Sequence, residues 1–161
     1  MLVVNDWQLF AHPLFLDQVD RLTQAVENAK AKDPVGFGRT ANAKLLAALR
    51  KLVLETIPTD PMRPEYRQGG TLGSGRRHWF RAKFGGGRFR LFFRYDAAAR
   101  IVIFAWVNDA DTLRTYGSKT DAYAVFRSML DKGDPPDGWD ALARAAAAAE
   151  AGERFAALKI P

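Results

Sequence analysis

The chain has 161 residues, with 24 Lys and Arg, 18 Asp and Glu, two His and no Cys. That length suits one domain of ordinary size, and 48% apolar residues exclude a disordered chain. Without Cys there is no disulfide, no thiolate zinc site and no Cys nucleophile, and two His are too few for a His-built metal centre. The longest apolar run, Ile101 to Val107, is far short of a membrane span, and MLVVNDWQ reaches Asp6 before a signal-peptide core could form. A cytoplasmic protein with no membrane contact and no cofactor is the expectation.

Trp7 to Ala11 reads as a strand ended by His12-Pro13, with Pro13 suited to the first turn of a helix. Phe15, Val19, Leu22 and Val26 recur at helical spacing. Asp33-Pro34, Gly36 and Gly38 break that helix. A second one buries Leu45, Leu46, Leu49, Leu52 and Val53 and is expected to end at Ile57-Pro58 and Asp60-Pro61. From Arg67 the period becomes two. Residues 79–84 and 88–95 alternate about Gly85-Gly86-Gly87, an antiparallel hairpin. Ile101 to Val107 is apolar at every position, as a strand buried on both faces requires. Thr120 is placed to cap a helix carrying Tyr123, Phe126 and Met129 or Leu130, ending at Gly133. After Pro135-Pro136 comes a last helix, Trp139 to about Arg154, Ala-rich and with little to bury. The order β-α-α-β-β-β-α-α predicts an α+β fold with helices on one face of a small antiparallel sheet. Residues 1–139 form the expected domain, and 140–161 an appended helical extension.

The net charge of +6 is unevenly distributed. Residues 63–94 hold nine basic side chains and one acidic, a balance of +8; the segment before is neutral and the one after carries −2. Residues two apart in a strand share a face. Arg81 and Lys83 of one strand and Arg88, Arg90 and Arg94 of the next are therefore expected together, with Trp79 and Phe92 among them as stacking surface. Such a row of like charge repels itself unless an anion sits on it. Arginine predominates, which suits bidentate grip on phosphate, and aromatic rings suit single-stranded bases. The hairpin is a candidate nucleic-acid surface, which Arg76, Arg77 and His78 extend.

Common catalytic motifs are absent. Gly73 to Gly75 and Gly85 to Gly87 lack the GxxxxGK[ST] spacing of a phosphate loop, and no carboxylate cluster is spaced for a metal. RNA, however, brings its own nucleophile. A protein need only activate the 2′-OH, neutralise charge on the phosphorus oxygens and protonate the leaving oxygen, and basic side chains suit these tasks.

The stretches LGSGRRHWFRAKFGGGRFRLFFRY (Leu72 to Tyr95) and WVNDADTLRTYGSKTDAYAVF (Trp106 to Phe126) closely resemble the YhaV family of toxins, the toxic halves of PrlF–YhaV type II toxin–antitoxin modules. WQLFAHPLF (Trp7 to Phe15), KLLAALRKL (Lys44 to Leu52) and GDPPDGW (Gly133 to Trp139) are similar to that family too. The resemblance implies a RelE-like fold and a metal-independent endoribonuclease that cleaves mRNA on the translating ribosome. It also implies neutralisation by a PrlF-type antitoxin, through which the complex binds operator DNA.

By position in the RelE-like pattern, Arg81 and Lys83 take the places of two strand lysines and Arg90 that of an arginine on the next strand. Lys83 is the implied base and Arg90 the implied phosphate holder. Arg114 is the nearest match to an acid arginine. Tyr116 or Tyr123 matches its tyrosine, and Tyr116 is preferred because Tyr123 lies on an apolar helix stripe. Asn108 and Lys119 are further candidates for RNA contact. Two rival readings are a toxin of RelE/ParE fold that binds a protein target, and a non-catalytic RNA-binding module.

Overall fold

A computed structural model describes residues 2–112 and 117–158. The chain opens on a hairpin absent from the expected order, β1 (Leu2–Val4) paired antiparallel with β2 (Trp7–Ala11). Its turn residues Asn5 and Asp6 have φ of 50° and 67°. Asn and Asp tolerate this backbone better than other side-chain-bearing residues, so the Asn5-Asp6 pair is the sequence signal for the turn.

Helix α1 (Pro13–Lys32) starts on the expected proline, and α2 (Ala41–Lys51) is capped by Thr40, whose hydroxyl accepts from the Ala43 N–H. The second helix does not stop at Ile57-Pro58 but ends at Asp60-Pro61. It widens to π geometry over Leu52–Thr56 and passes through Pro58 in α3 (Ile57–Thr59). Strands β3 (Phe80–Phe84) and β4 (Phe89–Asp96) form the basic hairpin. Its three glycines all have positive φ, and a Cβ on Gly85 would meet the Phe89 ring at 2.6 Å. β5 (Ile101–Val107) follows, then α4 (Ala122–Asp131), α5 (Trp139–Ala147) and α6 (Ala149–Ala157). Asp121, not Thr120, caps α4, its carboxylate accepting from the Tyr123 N–H at 3.0 Å.

The sheet order is β1-β2-β5-β4-β3, with β5 central as its apolar run requires. The expectation of an antiparallel sheet is corrected. β2 and β5 run parallel, because the chain returns from the antiparallel hairpin in the direction in which it left. The sheet is mixed and the fold α+β.

Helices cover both faces of the sheet, not one. On the first, Phe15, Val19, Leu49 and Val53 join Leu91, Phe93 and Phe104 in one core. On the second, Tyr123, Phe126 and Leu130 of α4 and Leu142 and Ala146 of α5 join Trp79, Phe92, Ile103 and Trp106. A bulge sets this division. Phe92 pairs with Trp106 but Phe93 with Phe104, so Ala105 is extra and lies with Trp106 in the second core.

The Ala-rich tail, expected to bury little, supplies both cores. Leu142 and Ala146 enter the second, and Ala151 and Phe155 the first. The helix breaks at Ala148, and Arg154 clamps α6 to α1 through Asp17 (2.7 Å) and Asp20 (2.6 Å). No described helix is long and apolar enough to cross a membrane.

Candidate active site

Strand register brings Lys83 directly opposite Arg90, and Arg81 opposite Phe92. Lys83 is exposed at the sheet edge. Arg81 is half-buried; its Nε donates to the Tyr123 hydroxyl at 2.8 Å and its Nη1 to the Glu65 carbonyl at 2.7 Å. Arg90 is only 6% exposed. Its Nε donates to the same Tyr123 oxygen at 3.3 Å, Nη1 donates to the Gly87 carbonyl, and the guanidinium lies 5.8 Å from the Tyr123 ring centre. Two guanidinium groups thus converge on one phenol, with an ammonium group on the same strand pair.

Tyr123 is held there by α4. Asp121 fixes the first helical turn, and the Tyr123 ring packs edge-on against Phe92 at 5.5 Å. The sequence stripe correctly makes Tyr123 mostly buried, at 5% exposure, yet its hydroxyl belongs to the cationic cluster. Ring and hydroxyl serve different surroundings, which a stripe cannot express. Arg114 and Tyr116, the other candidates for this part of the site, lie outside the described residues.

Asn108 is corrected from an RNA contact to a positioning residue. It is 2% exposed, and its amide is committed internally. Oδ1 accepts from the Arg90 N–H at 2.6 Å, while Nδ2 donates to the carbonyls of Arg88 and Thr112, both at 3.0 Å. The end of β5 from which it departs is pinned by Gln18, whose amide pairs with both the N–H and the carbonyl of Val107.

The stacking surface is also corrected. Trp79 and Phe92 are both 0% exposed. Phe92 stacks on Phe126 at 4.3 Å, and Trp79 meets Phe126 edge-on at 5.1 Å, because α4 and α5 lie across the face that the alternation leaves blank. The Trp79 indole N–H donates to Asp137 at 2.7 Å.

Asp137, unmarked by the sequence reading, gathers three more of the basic candidates. His78 Nε2 lies 2.9 Å from its carboxylate and Arg76 Nε 3.8 Å; Arg94 Nη1 donates to its backbone carbonyl at 2.7 Å. Arg76 also pairs with Asp131 at 2.8 Å, and the Arg94 guanidinium lies between the rings of Trp79 and Trp139. Burial alone would push the Asp137 carboxyl up, but hydrogen bonds from His78 and Trp79 and the charges of His78 and Arg76 outweigh it and hold it below the usual carboxylate range. Burial lowers Arg94 from the ordinary arginine value, and Asp137 partly restores it. Arg76, His78 and Arg94 therefore fasten the α4–α5 connection to the hairpin. The second acidic residue of GDPPDGW, Asp137, facing a basic strand pair, is the signal that could have found this.

Arg88 departs from the expected row as well. The β3–β4 ladder ends at Phe84–Phe89, and its Nε turns back to the Gly85 carbonyl at 3.4 Å, on the side of α1 and α2. Arg77 and Lys119 are exposed. Among the described residues, no group of three or more His, Asp or Glu is placed to hold a metal ion.

Beside Lys83 opens a cavity of about 370 Å³ lined by Leu52, Thr56, Arg63, Glu65, Tyr66 and Ala82. Beneath Tyr123 lies another of about 410 Å³, lined by Thr71, Ser118, Asp121 and Arg127 among others. The site thus offers a cationic centre flanked by two recesses of mixed polar and apolar lining.

Comparison with known proteins fits this chemistry. The model of a family described as a toxin with endonuclease activity, of a toxin–antitoxin system, matches residues 9–147. The chain is 50% identical over 142 residues to the ribonuclease toxin YhaV of Escherichia coli K12, covering 88% of this chain and 92% of that protein. Toxin YhaV of Escherichia coli O157:H7 matches to the same extent, and that of Escherichia coli O6:H1 is 50% identical over 140 residues, covering 86% of this chain and 91% of the relative. No solved structure matches the chain. With most of its length matched by the family and by these relatives, the chain belongs to the YhaV family of toxins, endonucleases of toxin–antitoxin systems.

Proposed function

We propose that the protein is an endoribonuclease that cleaves mRNA on the translating ribosome by activating the 2′-OH, and that a PrlF-type antitoxin neutralises it. The observation that carries the chemistry is the convergence of Arg81 and Arg90 on the Tyr123 hydroxyl, with exposed Lys83 opposite Arg90. The ribonuclease reading is also supported by the relative in Escherichia coli K12.

In this reading the 2′-oxygen attacks phosphorus, the bond to the 5′-oxygen breaks, and a cyclic phosphate and a 5′-hydroxyl result. Lys83 takes the 2′ proton as a neutral amine, or as a cation stabilises the alkoxide while that proton passes to water. Arg90 and Arg81 hold the non-bridging oxygens, where negative charge grows in the transition state. Arg81 binds rather than abstracts, since an arginine stays protonated. Tyr123 positions both guanidinium groups and stands at the phosphate. Arg114 and Tyr116 are proposed to serve the leaving oxygen. These steps use protein side chains alone, which makes metal independence part of the proposal.

The test is cleavage of a defined mRNA by the purified protein, with and without ribosomes and with EDTA, followed by mapping of the ends. Cleavage in EDTA that leaves cyclic phosphate ends, and that needs or is strongly enhanced by ribosomes, is expected. Absence of cleavage under every condition overturns the reading, and loss in EDTA overturns its metal independence.

A further inference from the structure

A groove of about 850 Å³ lies on the α1–α2 face of the sheet, the reverse of the face on which Arg90 meets Tyr123. Its floor is apolar. Leu22 and Ala25 of α1 and Leu45 and Ala48 of α2 form its length, and the stacked rings of Phe84 and Phe89, 5.5 Å apart, close one end. These side chains are partly exposed although they recur at the helical spacing of a buried stripe.

The rim is basic. Arg21, Arg39, Lys44 and Arg88 line the groove, and the carboxylate among its lining residues is that of Asp109. All four cations are exposed, and among the described residues none forms an ion pair with a carboxylate. Three of them lie outside the +8 segment, in a stretch whose net charge is zero. The fold has therefore built a second cationic region from a neutral part of the sequence.

An apolar trough with a basic rim matches an occupant that is apolar on one side and acidic on the other. Single-stranded RNA satisfies the rim, but it grips through phosphates and flat bases, and the aromatic rings among the lining residues, Phe84 and Phe89, are stacked on each other, while the lining residues of α1 and α2 include none. A helix lying in a groove places apolar residues at i, i+3 and i+4 into such a floor and its charged flanks against the rim. We propose that the groove is the docking site of an acidic amphipathic segment of the antitoxin. This rests on membership of a toxin–antitoxin family and not on the cleavage mechanism.

The position gives docking a route to the active face. The groove ends at Arg88, Asn108 and Asp109. Asn108 holds the Arg90 N–H and the Arg88 carbonyl, so a segment seated there touches the residue that sets the Arg90 backbone. Lys83 is not among the residues that line the groove.

The experiment compares the full chain with the variant Arg21→Glu/Lys44→Glu. Binding is measured to two probes, the purified antitoxin and a 2′-deoxy-blocked single-stranded RNA that cannot be cleaved. Antitoxin affinity is expected to fall by at least about thirtyfold at low salt, while RNA affinity and mRNA cleavage change less than about twofold. The milder Arg21→Gln/Lys44→Gln variant should lose an intermediate amount, and unchanged circular dichroism should accompany both. Unaltered antitoxin affinity overturns the proposal. So does a fall in RNA affinity with antitoxin binding intact, which would make the groove an RNA channel. Failure of the unmodified chain to cleave RNA would count against the ribonuclease reading alone, since docking is read by affinity.

Discussion

Arg81 donates its Nε hydrogen to the Tyr123 hydroxyl at 2.8 Å, joining an edge strand to a helix 42 residues away. The contact places a tyrosine in the cationic cluster. It also separates the role of the phenol ring, which packs on Phe92, from that of the oxygen.

Tyr123→Phe keeps the packing and removes the acceptor for two guanidinium groups. Cleavage is expected to fall by about 10- to 100-fold, on the scale of a lost positioning or proton-transfer group. The fall should appear in kcat more than in RNA affinity, measured by single-turnover cleavage beside binding. Full activity in this variant would remove Tyr123 from the site.

Lys83→Ala and Arg90→Ala should both relieve growth arrest, but only the first without structural cost. Lys83 is exposed, so its loss should change stability by no more than about 0.5 kcal/mol. Arg90 is buried and hydrogen-bonded to Tyr123 and Gly87, so its truncation should cost about 1–3 kcal/mol. Thermal melting beside a toxicity assay separates the two.

Trp79→Ala and Phe92→Ala should each destabilise the fold by about 3–5 kcal/mol, as removal of a large core ring does. Denaturant titration checks this. A variant that keeps its stability and loses only RNA affinity would restore the stacking role that burial denies.

RNA binding should weaken with salt, but less than nine cations would imply. A single strand loses roughly 0.7 logarithmic units of affinity per tenfold rise in salt for each phosphate contacted. With Arg76 and Arg94 engaged around Asp137, Arg63 paired with Glu65 and Arg88 turned to the α1–α2 side, the contacts counted are Arg67, Arg77, Arg81, Lys83 and Arg90, giving a slope of about −3.5 where all nine would give about −6. Filter binding across a salt series measures it.

Asp137 makes an acid-stability prediction. Its carboxyl is held below its ordinary value, so the folded state gains from its ionisation at neutral pH. That gain is present above the unfolded carboxylate range, near about 4, and is lost as pH falls through the lower folded value. Melting between pH 6 and pH 2.5 should show this loss, and Asp137→Asn should flatten it.

Much of the local structure was legible. Alternation marked the hairpin and its paired rows, glycines marked its turn, and the run Ile101 to Val107 marked the central strand, because these are short-range properties of backbone and side-chain direction. The first hairpin was missed because β1 has only three residues, too few to show a period. The parallel β2–β5 pairing joins segments some 90 residues apart, beyond what any local period reports.

By itself, the sequence determined where the basic charge is concentrated, which strand pair carries it, and which residues share each face. Tertiary structure decided which of those cations are free to meet a phosphate. Periodicity defines two faces of a strand but cannot say whether a later helix will cover one. Here α4 and α5 do so, burying Trp79 and Phe92, fastening Arg94 against Trp139, and leaving Lys83 exposed on the edge strand that also carries Arg81.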